Sequence, residues 1–342
     1  RAVPDAPPDL HLDFAYDDAS LRFMKSMPPI NEARGYVRLE GARFLAATEA
    51  GYVTPPEGGR IDVSGTVFEI PDVSLRGAPA NVQLTTQSSV TAALSLLDQE
   101  PFAFLSKAGQ SVNLAEGRAD VSGDIGFALK QKIPASEINF NIAGDITNVR
   151  SDRLVAGRLI AAERLALRAK TDEITLTGAG RIDAIPVEGT WRMPLGKAGA
   201  GSRLSGQVEL SDKFVETFNI GLPPGSISGK GRGDVTLDLR ADGPARFALS
   251  SNLRGLNVAI APLGYRKSAN ARGSLNVRGV VGSKKTGPPV VESLAFDAPG
   301  LKANGSITIS ASGILERAQF GRVQVGDWLD SPVTLTGRGR NA

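Results

Sequence analysis

The sequence predicts an all-β chain: a long, curled, mostly antiparallel sheet forming an elongated U-shaped groove, with a few short helices. Three observations carry this. Apolar and polar residues alternate with a period of two through most of the 342 residues. Gly and Pro, at 39 and 21, punctuate the alternating runs. Aromatic residues are only 6%, so few large rings are available to fill the space over so many strands.

Taken in order, the first run sets Leu10, Leu12, Phe14 and Tyr16 on one parity against His11, Asp13 and Ala15. Ile61/Val63 and Val82/Leu84 repeat the pattern. Residues 89–107 (SVTAALSLLDQEPFAFLSK) break it, with Leu94, Leu97, Phe104 and Leu105 and few β-branched residues. They predict a short helix, an interruption at Pro101 and a second helix. Alternation resumes at Ile125/Phe127/Leu129 and Ile138/Phe140/Ile142. The stretch 151–167 contains Leu154, Leu159, Leu165 and Leu167, but Gly157 and the alternation after Arg164 favour strands. Ile174/Leu176 and Val208/Leu210 follow. Residues 211–219 (SDKFVETFN) start with a Ser/Asp cap and set Phe214 and Phe218 four apart, predicting a short helix. The remaining runs are Val235/Leu237/Leu239, Phe247/Leu249, Val258/Ile260, Leu275/Val277, Leu294/Phe296, Ile307/Ile309, Val323/Val325 and Val333/Leu335. Asp242-Gly243 and Asn304-Gly305 have the chemistry of hairpin turns.

Composition removes several function classes. With 39 Lys+Arg against 36 Asp+Glu the net charge is +3, so no nucleic-acid stripe is expected. There is no Cys and His11 is the one His, which excludes a Cys/His zinc site and makes His11 obligatory for any Ser-His-Asp triad. No metal, no cofactor and no catalytic residue is expected. Asp17-Asp18 and Asp98/Glu100 have the look of glycosidase carboxylate pairs, but neighbouring strand residues point to opposite faces. The run SGKGRG (228–233) lacks phosphate-loop spacing and leads into a strand. Lys284-Lys285 read as a solvated loop tip or, alternatively, as a contact for anionic headgroups. No apolar run approaches the roughly 20 residues of a spanning helix. The chain opens at Arg1 with Pro4, Pro7 and Pro8 nearby, which suggests a segment of something longer. Residues 1–342 are expected to be a single elongated unit, since no linker interrupts the strands.

A lipid-embedded barrel would need Trp/Tyr girdles, and a propeller would repeat every 40 to 50 residues or so; neither pattern is present. What remains is a sheet with one apolar face, too large to lie bare in water unless it curls or is covered. About two dozen strands at roughly 4.8 Å give a trough on the order of 100 Å long. Its lining is assigned to Leu10, Leu12, Phe14, Ile125, Phe127, Leu129, Ile138, Phe140, Ile142, Val208, Leu210, Val235, Leu237, Leu239, Phe247, Leu249, Val258 and Ile260. The same residues could instead form an ordinary dry core, because strand alternation is identical in both cases. Each helix is either a core plug at a sheet end or a gate to the trough.

Two segments carry a family resemblance. GGRIDVSGTVFEIPDVSLRGAPANVQLTTQSSVTAALSLLDQEPFAFLSKAG (58–109) has a strand, a bend at Ile70-Pro71, a second strand, an Ala/Leu-rich helix and a Pro-Phe step. LSDKFVETFNIGLPPGSISGKGRGDVTLDL (210–239) has a short helix, a Gly-Leu-Pro turn and a Gly-rich strand. In both, and in the style of the remaining strands, the chain resembles the AsmA-like superfamily, YhdP branch, to which TamB is related. The resemblance implies a periplasmic part of an inner-membrane-anchored protein whose groove carries phospholipid toward the outer membrane. It implies acyl chains as partners, and membrane contact through segments missing from this chain. The rival expectations are a structural or adhesive β-solenoid that binds partner proteins and, third, a polysaccharide-acting enzyme, which lacks a convergent carboxylate set.

Overall fold

The computed structural model describes residues 10–337 apart from 101, 108, 156, 197–200, 219, 241–242, 283–286 and 311–314. Pro4, Pro7, Pro8, Pro101, Asp242 and Lys284-Lys285 therefore lie outside the described residues. The chain is 61% strand and 7% helical, which makes it all-β. In chain order the elements begin with β1 (His11–Leu21), β2 (Ile30–Glu40), β3 (Arg43–Val53), β4 (Ile61–Asp62), β5 (Thr66–Ile70) and β6 (Pro79–Ser89). Next come α1 (Val90–Leu97), α2 (Phe104–Lys107), β7 (Glu116–Ala128), β8 (Asn139–Ser151), β9 (Ile160–Lys170) and β10 (Glu173–Ile182). Then β11 (Ile185–Pro194), β12 (Ser202–Leu210), α3 (Asp212–Thr217), β13 (Ile227–Gly229), β14 (Gly231–Leu239) and β15 (Arg246–Ser251). The last are β16 (Leu256–Ile260), β17 (Tyr265–Lys267), β18 (Ser274–Val280), β19 (Val290–Ala298), β20 (Leu301–Ile309), β21 (Leu315–Val325) and β22 (Leu329–Thr336).

Most strands of the large sheet pair antiparallel with the next one along the chain, and the longer connections β6–β7, β12–β14 and β15–β18 carry the helices and the strands β13, β16 and β17. All belong to one large antiparallel sheet except β13, β16 and β17, which form a second, three-stranded sheet. β4 and β5 both lie between β3 and β6 and so occupy one position, giving 18 strands in the large sheet. The chain divides into two compact units, 1–178 and 179–342.

In the first unit the register converts alternation into faces. Directly opposed residues share a face, so one row crosses β1, β2, β3, β5, β6, β7 and β8 as Phe14–Val37–Ala46–Phe68–Val82–Ile125–Phe140. Every member is apolar. The neighbouring row on the other face runs Asp13–Arg38–Leu45–Glu69–Asn81–Gly126–Asn139 and is mostly polar. Bulges near Asp18 (φ 50°) and Glu32 (φ 48°) bend β1 and β2. Helix α1 starts at Ser89, whose Oγ accepts from Ala92 N and donates to Gly58 O at 2.7 Å. Its Ala92 joins Val53, Ile61 and Val63 in a closed core, with Ile30 and Leu96 against it.

The second unit repeats the scheme. A row crosses β11, β12, β14, β15, β18, β19, β20, β21 and β22 as Trp191–Leu204–Leu237–Phe247–Gly279–Val291–Ile307–Ala318–Leu335. Beside it lies Gly206–Val235–Leu249–Val277–Leu294–Gly305–Phe320–Val333. Asn304-Gly305 is thus not a turn but the middle of β20. A Cβ on Gly305 would stand 2.6 Å from Phe320 Cδ1, so glycine serves there to admit the ring across the strand. The far ends of these strands are covered. Leu253, Leu256 and Phe214 close over Ile185, Val208 and Leu210, while Val258 and Tyr265 close over Leu301, Val323 and Val325.

Candidate functional site

The site the structure offers is the uncovered part of the apolar face in each unit. In the first unit, every described buried hydrophobic residue larger than alanine (Met27, Val53, Ile61, Val63, Val90 and Val149) lies toward the strand ends that carry α1. The row from Phe14 to Phe140 runs outside that core: Phe14 is 47% exposed, and Val37, Ala46, Phe68, Val82, Ile125 and Phe140 are all only half-buried. A dry core would bring such central positions close to full burial.

The sequence-assigned lining residues divide into groups. Phe14, Ile125 and Phe140 are brought into one row, with Leu12, Phe127 and Ile142 in rows beside it. Leu10, Leu129 and Ile138 sit just outside the strand ends. Leu237 pairs with Phe247, and Leu239 is exposed at its strand end, while Val235 and Leu249 oppose each other and, half-buried, pack against the core capped by Leu253 and Leu256. Val208 and Leu210 are different: both are buried in the core capped by Leu253 and Leu256. Val258 and Ile260 belong to the three-stranded covering sheet and not to the long one. At these four positions alternation marks packed core, because a covering element returns over that end of the face. Val37, Phe44, Phe68, Trp191 and Leu204 line the rows without having been singled out. The alternation in GYVRLE (35–40) was the available signal for the first of them.

Helix α1 contributes Ala92 to a closed core and Phe214 of α3 packs partly buried against another, whereas α2 buries no residue. Asp98 accepts from Leu105 N at 2.9 Å, Ser106 N at 2.8 Å and the Ser106 hydroxyl, which holds its carboxyl below the usual range. This engages Asp98 in capping α2. Phe102 and Phe104 stack at 5.6 Å, and Phe214 and Phe218 lie 4.8 Å apart. Lys230 of the SGKGRG run pairs with Glu209 at 3.1 Å. Asp17 and Asp18 occupy the β1 bulge.

The opposite face is wetted and charged. Arg38 pairs with Asp13 (2.9 Å), Arg164 with Asp145 (2.6 Å), Arg203 with Asp238 (2.5 Å) and Arg322 with Asp330 (2.6 Å). Hydrogen bonding within these pairs raises the arginines and lowers Asp145 and Asp330. Such exposed pairs fix side-chain direction and register more than they stabilise the fold. Among the described residues no three His, Asp or Glu are grouped to hold a metal, and no helix is long and apolar enough to cross a membrane. The arrangement presents non-directional apolar surface on one side and solvated charge on the other. No protein-family model, curated protein or solved structure matches the chain.

Proposed function

We propose that this chain is the lipid-binding groove segment of a bridge-like periplasmic protein that carries phospholipids between the inner and outer membranes. The observation that supports it is the half-buried apolar row Phe14–Val37–Ala46–Phe68–Val82–Ile125–Phe140, whose polar counterpart faces solvent. Six strand intervals of about 4.8 Å make such a row roughly 29 Å long. That is nearly twice the hydrocarbon depth of one leaflet, about 15 Å, so a whole acyl chain fits on it. Apolar contact gains about 25 cal/mol per Å² removed from water and has no preferred direction. A chain covered on one side only is held less tightly than in a closed pocket, which favours movement along the row. The sequence resemblance to the AsmA-like superfamily, YhdP branch, supports the same reading and the inner-membrane-anchored, periplasmic location that goes with it. The chemistry is non-enzymatic, and the lining has no built-in selectivity for one acyl chain.

The test is extraction of the purified chain with organic solvent followed by mass spectrometry, together with a photo-crosslinking residue at Val82. Stoichiometric phospholipid crosslinked at Val82 is expected. A lipid-free extract and a crosslink to protein alone would overturn the reading in favour of a structural β protein that binds partner proteins.

A further inference from the structure

We infer that in the first unit lipid headgroups leave the apolar face over the strand ends opposite α1, where Arg76 and Lys132 in the connecting loops meet the phosphate diester; this rests on the groove reading above. One end of the face is shut by α1 with Val53, Ile61 and Val63. The other end is made by the turn at 41–42 and the loops 71–78, 129–138 and 171–172. These connections form a continuous hydrogen-bonded border. Gly41 N donates to Leu10 O at 2.9 Å, Val73 N to Ala42 O at 2.8 Å, and Leu129 N to Ala78 O at 2.9 Å. Phe140 N donates to Thr171 Oγ1 at 3.2 Å. The border is bare of cover: Leu10, Val73, Leu75 and Leu129 are all exposed, Leu75 at 54%. Aliphatic side chains in water beside an open apolar face are the edge a lipid crosses between tail and headgroup.

Charge at the same border gives the chemistry of that headgroup. Its carboxylates are largely committed: Asp72 to Ser74, Glu69 to Arg43 at 2.7 Å, and Glu137 to Lys130 at 2.5 Å. Asp172 lies in the last turn, after Lys170 at the end of β9, which shares the polar face with Asn141. Among the described residues Arg76 and Lys132 have no carboxylate partner, which leaves two cations for phosphate.

The experiment equilibrates the full chain with vesicles of equal phosphatidylethanolamine and phosphatidylglycerol, then extracts and quantifies bound lipid. Arg76→Glu/Lys132→Glu is compared with a matched reversal at the α1 end, Lys25→Glu/Arg153→Glu. The first variant should lower the bound glycerol-to-ethanolamine ratio about tenfold at unchanged total lipid, and the second should leave it near the parent value. A ratio unmoved by the first variant, or moved equally by both, overturns the assignment of the border while the groove reading stands. A parent chain that carries no lipid at all overturns both.

Discussion

Tyr16 lies over Gly35 on the neighbouring strand, with its hydroxyl donating to Ala47 O at 2.9 Å. A Cβ on Gly35 would stand 2.7 Å from Tyr16 Oη and 2.0 Å from Ala47 O. The glycine is therefore the space in which the ring lies, and Phe247 over Gly279 and Phe320 over Gly305 repeat the device. Gly35→Ala should cost about 2–3 kcal/mol by overpacking. Tyr16→Phe, which loses only the hydroxyl bond, should cost about 1 kcal/mol. Urea unfolding of both variants checks the order; equal costs would contradict the steric account.

Covered and uncovered parts of the apolar face should answer a buried charge differently. Leu256 is 1% exposed in a closed core, whereas Leu237 lies in the open row. Leu256→Asp leaves an unpaired charge out of water and should abolish folding of its unit, at a cost of several kcal/mol. Leu237→Asp should unfold close to the parent temperature while weakening lipid retention. Thermal melts of the two variants decide this, and equal destabilisation would mean the row is closed core.

Lys267 is 4% exposed, and its ammonium donates to Leu253 O (2.7 Å), Leu256 O (3.0 Å) and Ser268 O (3.0 Å). Lys267→Met strands these carbonyls and should cost about 3 kcal/mol. Burial lowers the lysine's pKa. Between that lowered value and the ordinary value near 10.4 the unfolded chain binds the extra proton, so this group's contribution rises with pH across the window and falls away below it. The free-energy gap between parent and Lys267→Met should widen across that alkaline window in denaturant titrations.

The outer edge of β1 has no strand partner among the described residues. Leu10 O bonds toward β2, which turns the backbone groups of His11, Asp13 and Ala15 outward. Open edges recruit strands, so the chain should self-associate at high concentration. Ala15→Pro removes one outward N–H without touching the β1–β2 ladder and should shift sedimentation toward monomer. An unchanged distribution would place the contact elsewhere.

Acid should loosen α2 through its cap. Because hydrogen bonds lower the Asp98 pKa, its contribution is complete above the ordinary carboxylate value near 3.9 and is lost as pH falls through the lowered one. Amide exchange at Leu105 and Ser106 should speed up in that acid range. In Asp98→Ala the two amides should be fast at every pH.

The sequence by itself determined the strands, the two-faced character of the sheet and the places where helices interrupt it. Period two places side chains on alternate faces wherever a strand forms, as at Phe14 or Ile125, and a Ser cap opens a helix at Ser89 or Ser211 without long-range help. Tertiary structure alone decided which apolar residues are covered. Val208 and Leu237 share the same alternation and the same face, yet one packs under Leu253 and Leu256 and the other stays open. That difference depends on where a segment some 45 residues later in the chain, β16, folds back. It is set by packing between distant elements, and no local pattern encodes it. Register is of the same kind: whether Gly305 forms a turn or makes room for a ring depends on Phe320 arriving opposite it.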